Sequence, residues 1–375
     1  MERKDIKDIL EQLTAGKPDE QERRMAKLWL FQLNNRNKAT LPESELDNSK
    51  VEVWMRLEER LASGTVGVKL WPRILVVAAA VASIVVGVYF FNYDKQTVPE
   101  NIDLVAHDVA PGKVGATLTL ANGKKIELTN TPDGELAKEA GVVITKSANG
   151  QLIYEIKNAN TATNKLNTLA TARGETYQLR LPDGSMVWLN AASSLTYTAN
   201  LKQGGKRRVK LEGEGYFEIA KDKMHPFVVE SKGQEVEVLG THFNVNAYTD
   251  EKVVATTLLE GAVKITSNQN QQLLKPGEQA INNGTAIKVA RVDVENLIDW
   301  KAGDFYFEHA DFRSVMRKIG RWYDVEIIYD RSVPESITSN GLISRNNKLS
   351  AVLKSIEKSG QVHFKIDGKK LYVTK

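Results

Sequence analysis

The sequence contains no cysteine. No disulfide framework can form, and thiolate metal sites and thiol nucleophiles are excluded. There are five histidines, none at a metal-ligand spacing from another histidine or a carboxylate motif. A phosphate loop is missing too. Gly213 and Gly215 flank Glu214 in a strand-rich context, with no Lys-Ser/Thr and no helix after them. Ser185, Ser193 and Ser194 lack the strand-turn-helix setting of a nucleophile elbow. No single sign of charge dominates: 51 Lys and Arg stand against 47 Asp and Glu, a formal excess of +4. That balance does not point to direct nucleic-acid binding. The KRRVK cluster at Lys206 to Lys210 is either a phosphate contact or the solvated face of a strand. Glu212, Glu214 and Glu218 resemble a glycosidase pair in spacing, since alternate strand residues lie about 7 Å apart on one face. The same spacing is ordinary on an exposed β face. No catalytic residue and no cofactor is expected.

Long apolar runs are scarce, with one exception. Ile74 to Phe91, ILVVAAAVASIVVGVYFF, is uncharged throughout. At about 1.5 Å per helical residue it spans roughly 27 Å, close to the hydrocarbon thickness of a bilayer. A lone segment in lipid must satisfy its own backbone, so the run predicts one transmembrane helix. Trp71 and Arg73 precede it, and Tyr89 and Tyr93 close it, as an interface requires. Lys50, Arg56, Arg60, Lys69 and Arg73 lie before the run, and only Lys95 and Lys113 in a comparable stretch after it. The positive-inside rule then places the N-terminus in the cytoplasm and the C-terminus across the membrane. The N-terminal residues lack a cleavable signal pattern, so the helix is expected to act as an uncleaved export signal. Ala79, Ser83 and Gly87 recur every fourth residue. They mark either a span rich in small residues or a face for close helix pairing.

Before the span, residues 1–70 read as a small α-helical bundle. Ile6, Ile9, Leu10 and Leu13 follow helical spacing, and Gly16 and Pro18 separate that helix from the next. The second helix carries Met25, Leu28, Trp29 and Gln32 on one stripe, widened by Leu30, Phe31 and Leu33. Ser49 and Glu52 form a capping box for a third, with Val53, Trp54, Leu57 and Leu61. Three short helices bury little core. Trp29, Phe31 and Trp54 are the domain's own core, or a surface that a partner covers, or both.

Beyond the span, residues 92–115 read as a polar linker with Pro99 and Pro111. Then LTLANGKKIEL (118–128) and LRLPDGSMVWL (179–189) are near copies. Each is an alternating strand, Asn-Gly or Asp-Gly, and another strand, the signature of a hairpin with a tight primed turn. Asn149-Gly150 is a looser third instance. Short strands continue, including Val209–Glu212, Tyr216–Ala220, Phe227–Glu230 and Phe243–Tyr248. Residues 116–290 therefore predict an all-β domain, a sandwich or a solenoid-like stack.

Residues 300–375 change character. Asp311 caps a helix with Phe312, Val315, Met316 and Ile319 on one face; Leu349, Val352, Leu353 and Ile356 form another. Strands at 304–307, 325–329, 341–344, 362–366 and 371–374 give a small α+β domain of βαβ-βαββ order, with helices on one sheet face. Such a sheet leaves an edge for strand addition.

These motifs carry a resemblance. Leu181-Pro-Asp-Gly, Val187-Trp-Leu-Asn, Gly213-Glu-Gly-Tyr-Phe, Pro226-Phe, Gly240-Thr-His-Phe-Asn and Glu260-Gly recur in one order, with the core match over 172–268. The pattern resembles the FecR family of membrane-anchored anti-sigma factors, and the C-terminal part resembles the small domain of the Bacteroidetes members, akin to the signalling domain of TonB-dependent receptors. The resemblance implies a single-pass bacterial inner-membrane protein without catalysis. Its cytoplasmic helices would hold an extracytoplasmic-function (ECF) sigma factor, making Leu28, Trp29, Phe31 and Trp54 the candidate contact residues. Its periplasmic part would sense the signalling domain of an outer-membrane TonB-dependent receptor loaded with an iron chelate or a glycan. Regulated proteolysis would carry the signal across one helix. The family motifs themselves imply fold-forming turns and strand cores. The alternative is a membrane-anchored periplasmic scaffold or carbohydrate-binding protein.

Overall fold

The computed structural model describes residues 108–139, 142–148, 150–156, 165–268 and 270–375. The helical region 1–70, with Leu28, Trp29, Phe31 and Trp54, and the span Ile74–Phe91 lie outside the described residues. Among the described residues, no helix is long and apolar enough to cross a membrane.

Strand pairing builds two sheets. The first runs β3 (Lys125–Glu127), β2 (Thr117–Thr119), β7 (Leu166–Thr171), β10 (Ser193–Gln203), the first half of β11 (Lys206–Glu218), β12 (Phe227–Ser231), β13 (Gln234–Val238), β16 (Val263–Ser267) and β17 (Asn270–Leu274). The second runs β4 (Gly134–Glu139), β5 (Val142–Lys146), β6 (Leu152–Ile156), β8 (Glu175–Arg180), β9 (Met186–Leu189), the second half of β11, β14 (His242–Ala247), β15 (Val254–Glu260), β18 (Glu278–Asn282) and β19 (Ile287–Arg291). The inward residues of both sheets form one core, with Phe217 stacked on Phe243 at 5.1 Å. After β11 the chain lays hairpins alternately on the two sheets. The architecture is thus a sandwich that grows as a stack, and the two sequence readings describe one object.

Strand β11 is the hinge of this arrangement. The sequence suggests two strands, Val209–Glu212 and Tyr216–Ala220; the structure has one strand of 13 residues that crosses between sheets. Gly213 makes the crossing at φ +87, in the left-handed region that suits glycine. A Cβ there would strike Ser193 Oγ and lie 2.8 Å from the Ala192 carbonyl oxygen. The glycine is a bend inside a strand, not a break between strands.

The three Asx-Gly turns also differ from expectation. In each, the glycine N–H bonds three residues back: Gly123 to Leu120 at 2.8 Å, Gly150 to Ser147 at 2.8 Å, Gly184 to Leu181 at 3.0 Å. The three glycines take positive φ, at 84°, 78° and 85°, while Asn122 and Asp183 do not. These are four-residue turns closed by a glycine bulge, not two-residue primed turns. Asn122 and Asp183 serve by side chain, accepting from Lys124 N at 2.9 Å and Ser185 N at 3.0 Å.

The C-terminal part comprises α1 (Val294–Leu297), α2 (Asp299–Ala302), β20 (Asp304–Asp311), α3 (Phe312–Tyr323), β21 (Glu326–Tyr329), β22 (Thr338–Ser344), α4 (Leu349–Glu357), β23 (His363–Asp367) and β24 (Lys370–Thr374). Asp311 caps α3, accepting from Ser314 N at 2.9 Å. The element order matches expectation, but the strands do not join one sheet. β20 pairs with β22, while β24 lies between β21 and β23. Residues 108–115, at the end of the sequence-derived linker, are tied down. β1 (Lys113–Val114) pairs with β8, and Leu349 N bonds the Val109 carbonyl at 3.0 Å. Asp103–Lys375 forms one compact unit.

Gly213→Ala is expected to destabilise the protein by about 2–4 kcal/mol, from left-handed strain plus overpacking. Denaturant unfolding measures this; a loss below about 0.5 kcal/mol, the scale of an ordinary surface substitution, would show the bend to be dispensable.

Candidate functional site

Three strands bring polar side chains to one buried point. Asn190 follows β9, Glu214 lies just past the β11 bend, and Asn244 sits on β14. Register sets this up: Gly215 pairs with Leu189, and Tyr216 pairs with both Trp188 and Asn244. Glu214 is only 5% exposed. Its Oε2 accepts from Asn190 Nδ2 at 2.8 Å and its Oε1 from Asn244 Nδ2 at 3.0 Å. Ser193 Oγ accepts from Glu214 N at 2.9 Å.

The C-terminal part covers this cluster. Arg345, just after β22, is 3% exposed. Its Nη2 donates to Asn190 Oδ1 at 3.1 Å and its Nη1 to the Trp300 carbonyl at 3.2 Å. The guanidinium lies 3.8 Å from the Trp322 ring centre, and Trp322 Nε1 donates to the Arg345 carbonyl at 2.9 Å. Burial pushes the Arg345 pKa down to about 10, opposed by Asp299, Tyr248 and Glu214. At neutral pH it remains a cation. Asn190 therefore stands between charges, donating to the carboxylate and accepting from the guanidinium.

Models of the FecR protein domain and of the FecR C-terminal domain match residues 167–264 and 304–373. A crystal structure of a candidate anti-sigma factor from Parabacteroides distasonis, at 2.50 Å resolution, is 31% identical and has a TM-score of 0.53, covering 56% of this chain and 99% of that one. The chain belongs to the FecR family. A second structure of the same description, at 1.65 Å, is 30% identical with a TM-score of 0.53, covering 56% of this chain and 98% of the other. No curated protein matches the chain.

In this FecR-family protein the seam lies between the two matched segments. Around Arg345, ion pairs tie α3 to the β14–β15 turn. Arg321 Nη1 meets both Asp250 oxygens at 3.0 and 2.9 Å, and its Nη2 meets Glu251 Oε1 at 3.0 Å. Arg317 grips Glu251 with Nε at 3.0 Å and Nη2 at 2.5 Å. Arg321 also stacks 3.9 Å from the centre of the Tyr248 ring. On the far side, Arg173 Nη2 donates to the carbonyls of Gly320 at 2.7 Å and Val325 at 2.8 Å. Asp108 accepts from Ser350 N at 3.0 Å and Oγ at 2.9 Å.

The family motifs thus do more than form turns and cores. Those ending in Asn190 and Asn244, with the one holding Glu214, build the floor on which the second domain rests. The three glutamates do not share an open face. Glu212 pairs with Lys210 at 2.8 Å, Glu214 is buried, and Glu218 faces Lys301 at 3.5 Å. The KRRVK cluster is fully paired: Lys206 with Glu237, Arg207 with Asp183, Arg208 with Glu230 and Glu235, Lys210 with Glu212. Arg207 is no solvated face residue, being 3% exposed and bonded to Asp183 at 2.6 Å. Among the described residues, no group of three or more His, Asp or Glu is placed to hold a metal. Arg345 escaped the sequence reading; the one available hint was a lone arginine between a strand and a capped helix.

Desolvation raises the Glu251 pKa, but Arg317 and Arg321 outweigh it and hold the carboxyl below its ordinary 4.5. A depressed carboxylate contributes stability above its unfolded pKa and loses it as pH falls through the native value. Glu251→Gln should therefore cost about 1 kcal/mol or more near neutrality, converging with the parent only once pH has fallen through the depressed native pKa, below the ordinary 4.5. Denaturant midpoints across pH measure this, and a deficit that persists in acid would contradict the assignment.

Proposed function

We propose that this chain is a single-pass inner-membrane anti-sigma factor. Its cytoplasmic helices hold an extracytoplasmic-function sigma factor, and its seam-joined domains receive a signal in the periplasm. FecR membership supports the regulatory role, as do solved relatives described as candidate anti-sigma factors. The observation that carries the reading is that both FecR segments meet in one compact unit, with no catalytic feature needed to explain the buried Glu214. The apolar run Ile74–Phe91 and the basic residues before it supply the topology. The signal source is the signalling domain of an outer-membrane TonB-dependent receptor, loaded with an iron chelate or a glycan. A single helix transmits rigid-body motion poorly, so regulated proteolysis or a change of association carries the signal inward.

A carbohydrate-binding role has one observation in its favour. A hollow of about 220 Å³ is lined by Tyr177, Gln178, Trp188, Trp300 and Lys301. Lys301, however, already sits over Trp188 at 4.4 Å and Tyr216 at 4.5 Å, where a sugar ring would stack.

Capture with the tagged full chain, solubilised from membranes, discriminates between these readings. A sigma factor is expected with the parent protein and lost with Trp29→Ala/Trp54→Ala. Empty capture from cells expressing their own sigma factors would count against the reading. So would reporter fusions that place both termini in one compartment.

A further inference from the structure

Helix α3 carries Arg313, Arg317 and Arg321 at successive fourth positions, hence along one side. Two of these arginines hold Asp250 and Glu251 from the β14–β15 turn. The third does not. Arg313 stacks 4.3 Å from the centre of the Tyr329 ring, and among the described residues no carboxylate lies within ion-pair distance of it. Its buried Nε has no hydrogen-bond partner. A guanidinium held over an aromatic ring loses little further freedom on binding a carboxylate.

We propose that the arginine-bearing face of α3 is a docking surface for an acidic segment of a partner protein, with Asp250 and Glu251 occupying part of it in cis. Charge complementarity carries the choice of occupant. The residues already seated there are an aspartate and a glutamate adjacent in sequence, and the row of arginines continues one step past them. The cis occupant is exchangeable at its rim, since the Asp250 side chain is 49% exposed. Its partner Arg321 is buried, at 6%, so exchange begins at Asp250 and at Arg317, whose side chain is 30% exposed. A planar guanidinium favours a carboxylate, which it meets with two parallel bonds.

The test uses the full chain in detergent and a fluorescently labelled hexaglutamate peptide, followed by anisotropy at low salt. The parent is expected to bind the peptide. Arg313→Ala should weaken binding about fivefold to tenfold, and Asp250→Asn/Glu251→Gln should tighten it several-fold by freeing the partly exposed Arg317. Arg313 packs on Tyr329 of its own domain, so Arg313→Ala is expected to leave the seam between the domains intact. Lys365→Ala/Lys370→Ala, on β23 and β24, should change nothing. Three results overturn the proposal: no binding by parent or double variant; equal loss in the lysine variant, which indicates net charge alone; or Arg313-dependent binding to phosphatidylglycerol vesicles without peptide binding, which assigns the face to lipid.

Discussion

The described part of this protein depends on an amide placed between two buried charges. Glu214 and Arg345 belong to different domains and make no direct ion pair, and Asn190 satisfies both. Burying a guanidinium and a carboxylate carries a desolvation cost of several kcal/mol each, which attraction offsets only when hydrogen bonding is complete. Here Glu214 receives two amide donors and Arg345 has two acceptors and the Trp322 ring, but the buried Arg345 Nε has no hydrogen-bond partner, so the offset is incomplete. Such an arrangement tolerates little displacement. A sliding or absent C-terminal domain would leave Glu214 beneath water or beneath apolar surface without its countercharge. The seam therefore fixes one relative placement of the two domains more than it adds net stability.

Around that fixed point the contacts grade outward in strength. Arg321 is nearly as buried as Arg345, Glu251 is partly covered, and Asp250 reaches water. The centre sets register and the rim is adjustable. For an anti-sigma factor this grading has a use. A partner that engaged the rim would meet Asp250, the most exposed of these residues, without first reaching the buried Arg345.

Much of the architecture could be read from residues alone. The helices of the C-terminal part follow 3.6-residue spacing from an aspartate cap, and the short strands follow alternation. Failures came where one residue type serves two purposes. Gly213 looked like punctuation and is a bend, because a strand that changes sheets needs left-handed backbone and no Cβ. Asx-Gly pairs predict hairpins, but a glycine bulge and a two-residue turn share that dipeptide, and only backbone dihedrals separate them. The seam was hidden for a different reason. Asn190, Glu214 and Asn244 interrupt apolar strands at separations that no periodicity connects, and Arg345 joins them from 155 residues beyond Asn190. Long-range polar convergence leaves no local trace. The motif resemblance marked three of the four residues without saying what they were for.

The most direct measurement is a cross-link across the seam in a chain that has no cysteine of its own. A Cβ on Gly174 would lie 3.9 Å from the Asp324 Cβ, within the roughly 3.5–4.5 Å a disulfide requires. Gly174 sits at φ +76, so a cysteine there adds strain of about 1–2 kcal/mol, small beside the fold as a whole. Full-length Gly174→Cys/Asp324→Cys should close its disulfide rapidly under mild oxidation, and far more slowly when Arg345 is also replaced by Met. A folded double-cysteine protein that stays open, or closes equally fast without Arg345, would contradict the account.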